Sequence, residues 1–320
     1  VMNPKTGELL ATVSTPSYDS NDFVLGLTND KWNELNKDTD KPLYNRFLQS
    51  YCPGSTFKPI TAAIGLSSGK LTTDTTFNYS GLKWQKSSSW GDIYITTLTA
   101  YSGAKNIRNA LIHSDNIFFA QAAMQIGSAT FCEELKKLGF NESINEQIKF
   151  PLTIKKSQYS NLDKIDNEKK LADSGYGQGD VLVNPIHMAS IYSAFANEGN
   201  MIKPYIEYKE NAQAEILKEN VFSAEIANTI KDDLIQVVEN PEGTAKDMKT
   251  AGVTIAGKTG TAELKTSQND TEGGLLGWFD CFTVNNPSGN DMLIISMVEN
   301  TQNNGNGGSH YLIKKIKTLF

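Results

Sequence analysis

A serine three residues ahead of a lysine, a serine two ahead of an asparagine, and a lysine opening Lys-Thr-Gly are together the parts of a serine acyl-transfer site. A serine hydroxyl is a poor nucleophile at neutral pH and needs a base beside it. A lysine amine is that base only when burial or a second cation keeps it neutral. The chain holds several copies of each pattern. Ser-x-x-Lys occurs at Ser55/Lys58, Ser67/Lys70, Ser80/Lys83 and Ser102/Lys105. Ser-x-Asn occurs at Ser114/Asn116, Ser143/Asn145, Ser267/Asn269 and Ser288/Asn290, and Lys-Thr-Gly at Lys5 and Lys258. Most of these are chance, so the surrounding element has to choose among them.

Pro53-Gly54-Ser55 opens an apolar run, Ile60 to Leu66, at helical spacing. Positions i and i+3 share a helix face, which brings the Lys58 amine within reach of the Ser55 hydroxyl. Pro59 is cheap only in a first helical turn, so it also places Ser55 at the helix start, where free N–H groups suit an oxyanion. The bland alternative is a serine N-cap. Ser114-Asp115-Asn116 leads into a second helix, and capping by Ser114 or Asp115 is its bland reading. Lys258-Thr259-Gly260-Thr261 sits inside a strand-like run, Gly252 to Glu263. Glycines flanking a lysine within a strand mark close approach by another backbone, or else a flexible edge. Lys5-Thr6-Gly7 reads as a plain hairpin turn. The three selected motifs follow one another in order, each on the element its chemistry needs, and jointly they outweigh the separate accidents.

Other chemistries have less support. His113 abuts Ser114 but has no evident orienting partner. Cys52 precedes Ser55 by three residues and reads as a small packing residue. Three cysteines and three histidines without metal-like spacing make a dedicated metal site improbable, at most one disulfide can form, and no cofactor is expected. A net charge of −6 argues against nucleic acid as a partner. With 39% apolar residues the chain can bury a real core, and no apolar run approaches the roughly 18–20 residues of a bilayer span. The chain is expected to be soluble as it stands. Val1-Met2-Asn3-Pro4 reads like the inside of a strand, so it is expected to be a fragment whose N-terminal part held any anchor.

The elements that must position these residues fall into a pattern. A strand–turn–strand hairpin is predicted around Asn3–Glu8, polar turns over 16–45, and loops over 67–105. Helices are predicted at Asn116–Ile126, Ala129–Leu138, Pro185–Ala196 and Glu225–Val238, with a long polar connection over 140–180. Strands follow at Gly252–Glu263, Leu275–Val284 and Met292–Glu299, then a helix at Tyr311–Leu319. Strands at both ends with helices between them predict an α+β fold.

At these residues the chain resembles the transpeptidase domain of class B penicillin-binding proteins. Pro53 to Pro59, Ser114-Asp115-Asn116 and Gly257 to Ala262 look like its signatures, with further matches at Asn3–Glu8, Ser14–Asp19 and Gly175–Gly179. Trp84–Gly91 and Leu171–Gly179 look most like the methicillin-resistance transpeptidase of staphylococci and its relatives. The resemblance covers essentially the whole chain. It implies one domain over 1–320: an antiparallel five-stranded sheet from both chain ends (about 1–20 and 200–320), covered by helices, and an inserted helical lobe (about 50–200).

The resemblance also implies a mechanism. Ser55 would attack a D-alanyl-D-alanine peptide, with Lys58 as base and Ser114 relaying the proton. Asn116 would bond the substrate amide, and Lys258, Thr259 and Thr261 would hold the terminal carboxylate. The N–H groups of Ser55 and Thr261 would form the oxyanion hole. Gly260 would let the helical lobe approach, and the strand edge could pair with an extended peptide. The implied partners are peptidoglycan stem peptides, β-lactams as covalent inhibitors, and cell-wall synthesis or division proteins reached through the absent N-terminal region. The implied place is the extracellular face of the bacterial cytoplasmic membrane. The competing readings are a serine β-lactamase, for which Glu168 is the only obvious water-activating base, a β-lactam sensor, and a cysteine peptidase using Cys52.

Overall fold

Residues 276 to 283 are buried at every position, which a strand achieves only when other elements cover both faces of its sheet. The computed structural model of the chain describes residues 1–264, 274–301 and 308–320. In chain order its helices are α1 (Ser20–Leu25), α2 (Asn29–Lys37), α3 (Lys58–Ser67), α4 (Ile107–Ile112), α5 (Asn116–Ile126) and α6 (Ser128–Lys137). They continue with α7 (Ile144–Ile148), α8 (Glu168–Ser174), α9 (Pro185–Ala196), α10 (Ala224–Glu239) and α11 (Gly308–Ile316). The strands are β1 (Lys83–Trp84), β2 (Ile95–Thr96), β3 (Met201–Ile202), β4 (Ile216–Lys218), β5 (Thr254–Leu264), β6 (Gly274–Asn285) and β7 (Leu293–Val298).

The main sheet is antiparallel in the order β5-β6-β7, with Lys258 opposite Asp280 and Gly260 opposite Trp278. Helix α10 packs on β5, α11 on β6 and α9 on β7. One apolar cluster joins these strands to α3, α5, α9 and α10. A smaller cluster of Trp90, Ile95, Ile117, Ala120 and Ala172 fastens the β1–β2 region to α5 and α8.

The α+β arrangement is present, but among the described residues the regular strands do not make up the expected five-stranded sheet. The regular strands form sheets of three, two and two. The first residues add single bridges, Met2 to Leu293, Met2 to Leu9 and Glu8 to Tyr205, so the predicted hairpin is present but short. The turn between them explains the shortfall. Asn3 Oδ1 accepts from the backbone N–H groups of Lys5 and Thr6, Pro4 has no N–H, and Gly7 sits at φ +86°. Those groups are unavailable to a longer ladder.

The predicted helices are present, α11 beginning three residues earlier than expected, and three of them carry their own start signal. Asp115, Asn184 and Ser223 cap α5, α9 and α10, and Pro185 opens α9. The 16–45 stretch holds α1 and α2, capped by Asp19 and Thr28, and the 140–180 connection holds α7 and α8. These helices are only five to nine residues long and bury few side chains, so the sequence pattern passes over them. Among the described residues no helix is long and apolar enough to cross a membrane.

Candidate active site

Ser55 lies in a single 3-10 turn, Gly54–Phe57, which feeds directly into α3 with Pro59 in its first turn. The turn is pinned from several sides. Gly54 N donates to Gly177 O at 2.9 Å, Trp278 Nε1 to Cys52 O at 3.0 Å, and Tyr192 Oη to Thr56 O at 2.7 Å. Two glycines let β5 come close. Gly54 has φ +54°, and a Cβ there would fall 2.3 Å from the Thr261 carbonyl oxygen. A Cβ on Gly260 would fall 2.8 Å from Thr56 Cγ2 and 3.0 Å from Pro53 O. The Gly260→Ala variant is therefore expected to push β5 off the Ser55 turn. β-Lactam acylation should drop by tenfold or more, while thermal unfolding shows only about 1–3 kcal/mol of overpacking. Unchanged acylation kinetics in that variant would mean the close approach has no bearing on the chemistry.

Asp115, not Ser114, caps α5: its Oδ1 accepts from Ile117 N at 2.9 Å and Phe118 N at 3.3 Å. Ser114 is thereby free of capping and stands in the left-handed region at φ +54°, a conformation that costs a non-glycine residue about 1–2 kcal/mol. Its hydroxyl faces two buried amines, Lys258 Nζ at 2.9 Å and Lys58 Nζ at 3.1 Å. Lys58 Nζ also donates to Ser114 O at 2.6 Å and Asn116 Oδ1 at 2.7 Å, and Lys258 Nζ to Thr259 O at 3.0 Å. None of the Lys58 bonds goes to Ser55 Oγ, although the shared helix face suggested that contact. The asparagine and serine of the second motif claim the amine instead.

Both lysines are fully buried. Burial and then the Lys258 charge push Lys58 well below its ordinary pKa, with Asp115 opposing. Burial alone brings Lys258 down to about 7. The pair can therefore exchange one proton through Ser114 near neutral pH. Asn116 Nδ2 donates to Thr96 O at 2.9 Å, and the Thr259 hydroxyl donates to Thr244 Oγ1 at 2.7 Å, so both polar groups have partners within the chain. Thr261 is exposed on the strand beyond Gly260.

The structure thus gathers Ser55, Lys58, Ser114, Asn116, Lys258, Thr259, Gly260 and Thr261 at one junction. Of the remaining motif copies, Lys105 packs over the Tyr79 and Tyr101 rings beside the site. Lys5 sits in the N-terminal turn, paired with Asp291 at 2.5 Å, and Ser288 is in a polar turn. Ser267/Asn269 lies outside the described residues. His113 stacks on the Tyr101 ring at 4.1 Å, and burial lowers its pKa. Cys52 is buried, donates to Gly177 O, and has its thiol pushed up to about 12, the wrong direction for a nucleophile. Cys52, Cys132 and Cys281 are all free. Glu168 is paired with Lys86 and accepts from Trp90 Nε1 at 3.3 Å, and the Lys86 bond lowers its pKa.

Sequence reasoning assigned no role to Gly177, Tyr192, Thr244 or Trp278, all of which support the site from a distance. Only Gly177 carried a signal, the glycine density of Gly175-Tyr176-Gly177-Gln178-Gly179.

Comparison with known proteins adds an independent line. Penicillin-binding protein 3 of Bacillus subtilis (strain 168) is 43% identical over 319 residues, covering 100% of this chain and 46% of that protein. The peptidoglycan D,D-transpeptidase MrdA of Acinetobacter baumannii is 26% identical over 82% of this chain and 41% of its own length. The chain spans about half the length of the curated relatives it matches. Among solved structures, the penicillin G acyl-enzyme complex of penicillin-binding protein A from M. tuberculosis superposes with a TM-score of 0.74 at 25% identity, over 94% of this chain and 68% of that one. The family model for the penicillin binding protein transpeptidase domain matches residues 1–316, and the chain belongs to that family.

Proposed function

We propose that this chain is a single transpeptidase domain, 1–320, of a class B peptidoglycan D,D-transpeptidase that is acylated by β-lactams. The observation that carries the reading is the Ser114 hydroxyl held between two buried lysine amines, one of them on the helix that the half-buried Ser55 turn feeds. Ser55 attacks the D-alanyl-D-alanine carbonyl. Lys58, kept neutral by burial and by Lys258, takes the Ser55 proton, directly or through Ser114. Ser114 then delivers it to the leaving amine. The backbone N–H groups of Ser55 and Thr261 receive the oxyanion. The charge of Lys258, with Thr259 and Thr261, holds the terminal carboxylate, and Asn116 bonds the substrate amide. An amine from a neighbouring stem peptide resolves the ester as a cross-link.

The place of action is the outer face of the cytoplasmic membrane, reached through an N-terminal anchor. The names of the relatives support the reaction and substrate class. A β-lactamase reading is disfavoured because Glu168 is tied to Lys86 and Trp90. The finer likeness to the methicillin-resistance transpeptidase of staphylococci implies slow acylation. A physical route supports it: Asn116 and Thr259 must exchange existing partners before they meet a ligand.

One experiment tests these points together. Mass spectrometry of the chain during incubation with benzylpenicillin should show a single drug mass on the peptide holding Ser55, accumulating slowly, and none in Ser55→Ala. An adduct that survives in Ser55→Ala would overturn the nucleophile. Acylation as fast as in a penicillin-sensitive class B enzyme would remove the resistance reading alone. Stem-peptide dimers formed with an added acceptor would separate a transpeptidase from a hydrolase.

A further inference from the structure

The middle residue of Ser114-Asp115-Asn116 has no part in the mechanism above, yet it is the most enclosed of the three. Asp115 is fully buried and both of its carboxylate oxygens are engaged. Oδ1 caps α5, and Oδ2 accepts from the hydroxyl of Tyr79. Tyr79 comes from the 67–105 stretch, far along the chain from this loop, and packs between the two apolar clusters. Lys58 touches the residues on either side of Asp115, at Ser114 O and Asn116 Oδ1.

We infer that Tyr79, through its hydrogen bond to Asp115, is a positioning residue that sets how much of the Asp115 charge reaches Lys58. This rests on the proposed role of Lys58 as base. The groups facing the pair are few. Lys258 approaches Lys58 from β5 and the Phe119 ring from α5. Tyr101, Lys105 and His113 surround Asp115 and Tyr79: Lys105 Nζ lies 3.3 Å from the Tyr101 ring centre and 5.8 Å from that of Tyr79, and Tyr101 stacks on His113. Two opposing charges therefore act on Lys58. Lys258 favours the neutral amine and Asp115 favours the ammonium.

A hydroxyl donated to Asp115 draws charge toward Tyr79 and away from Lys58. Removing it strengthens the pull of Asp115 on the Lys58 proton. The Tyr101 hydroxyl is buried next to this pair and interacts with both Tyr79 and Asp115, so it is the donor best placed to substitute.

The test is the pH dependence of the second-order acylation constant with nitrocefin for the whole chain. In Tyr79→Phe, or in Tyr79→Phe/Tyr101→Phe if Tyr101 substitutes, the acidic limb should move up by about half a pH unit, with a few-fold loss at neutral pH. Asp115→Asn keeps a capping oxygen but removes the charge, so its limb should move down by about one unit. Opposite movements are the expected result, and a structural role alone does not produce them. A rate lowered equally at every pH, or a limb unmoved in both the double variant and Asp115→Asn, overturns the inference. Thermal melts identify any variant that fails to fold, and the remaining variant then decides by the direction of its own shift. Lys58→Ala separates the two layers. If it acylates normally, the base assignment is wrong. If it is inactive while the tyrosine and aspartate variants keep the wild-type limb, only the role of Tyr79 fails.

Discussion

Lys58→Ala is expected to slow β-lactam acylation of Ser55 by roughly 10²–10⁴-fold, the usual contribution of a positioned general base. The expectation is this large because the other candidate bases among the described residues are engaged elsewhere. His113 lies flat against Tyr101, Glu168 is held by Lys86 and Trp90, and Lys258 stands on the far side of the Ser114 hydroxyl. The variant also strips Ser114 O and Asn116 Oδ1 of their donor, so some of the loss will be misplacement of the loop. A small primary amine added to the assay separates the two effects. Partial recovery that rises with the amine concentration identifies missing base, whereas no recovery identifies a displaced loop. Acylation within tenfold of wild type would exclude Lys58 as the base.

Lys258→Met is expected to cost activity and to stabilise the fold. A lysine that titrates near 7 when folded and near 10.4 when unfolded pays for burial whenever the pH lies below its unfolded value. Below about pH 7 the folded chain carries the charge and the full cost. Between about 7 and 10.4 the unfolded chain binds more protons than the folded one, so wild-type stability from this group rises with pH. Methionine fills similar space without the charge and removes that slope. Urea unfolding at pH 7 should show the variant more stable by roughly a few kcal/mol, with the gap closing toward pH 10. A variant that is less stable at pH 7, or a gap independent of pH, would show that hydrogen bonds to Ser114 and Thr259 outweigh the cost of burial.

The placement of the site was legible where the chain carries local punctuation. Pro59 marked the start of α3, glycines flanked Lys258 in β5, and Asp115 and Asn116 opened α5, so three distant motifs could be set on the correct elements. What stayed hidden depends on contacts between segments. No pattern says that Asp115 takes the capping role and leaves Ser114 in a left-handed conformation, because serine and aspartate cap equally well. Nothing local tells that the Lys58 amine turns to Ser114 and Asn116 rather than Ser55. The loop-like 67–105 stretch shows no periodicity, yet it supplies Thr96 and Tyr79 to the site through a carbonyl and a hydroxyl. The N-terminal hairpin forms but is short, and its length was not legible because the run from Leu9 to Val13 looks the same whether one bridge forms or five.

The sheet order places β5 at an open margin, with the Ser55 turn seated against part of it through Gly54 and Gly260. A bare margin of this kind is ordinarily a hazard in a crowded compartment, since unpaired N–H and C=O groups recruit strands from other molecules into growing aggregates. Here the hazard is met by recession. The apposed turn sits against β5 at Thr261 and Gly260, so a strand pairing with this margin must also fit beside that turn. The lysine buried beneath adds a charge penalty against any occupant without an anionic end. The feature that brings the Ser55 turn against β5 thus also shortens the length of strand edge left open to other chains.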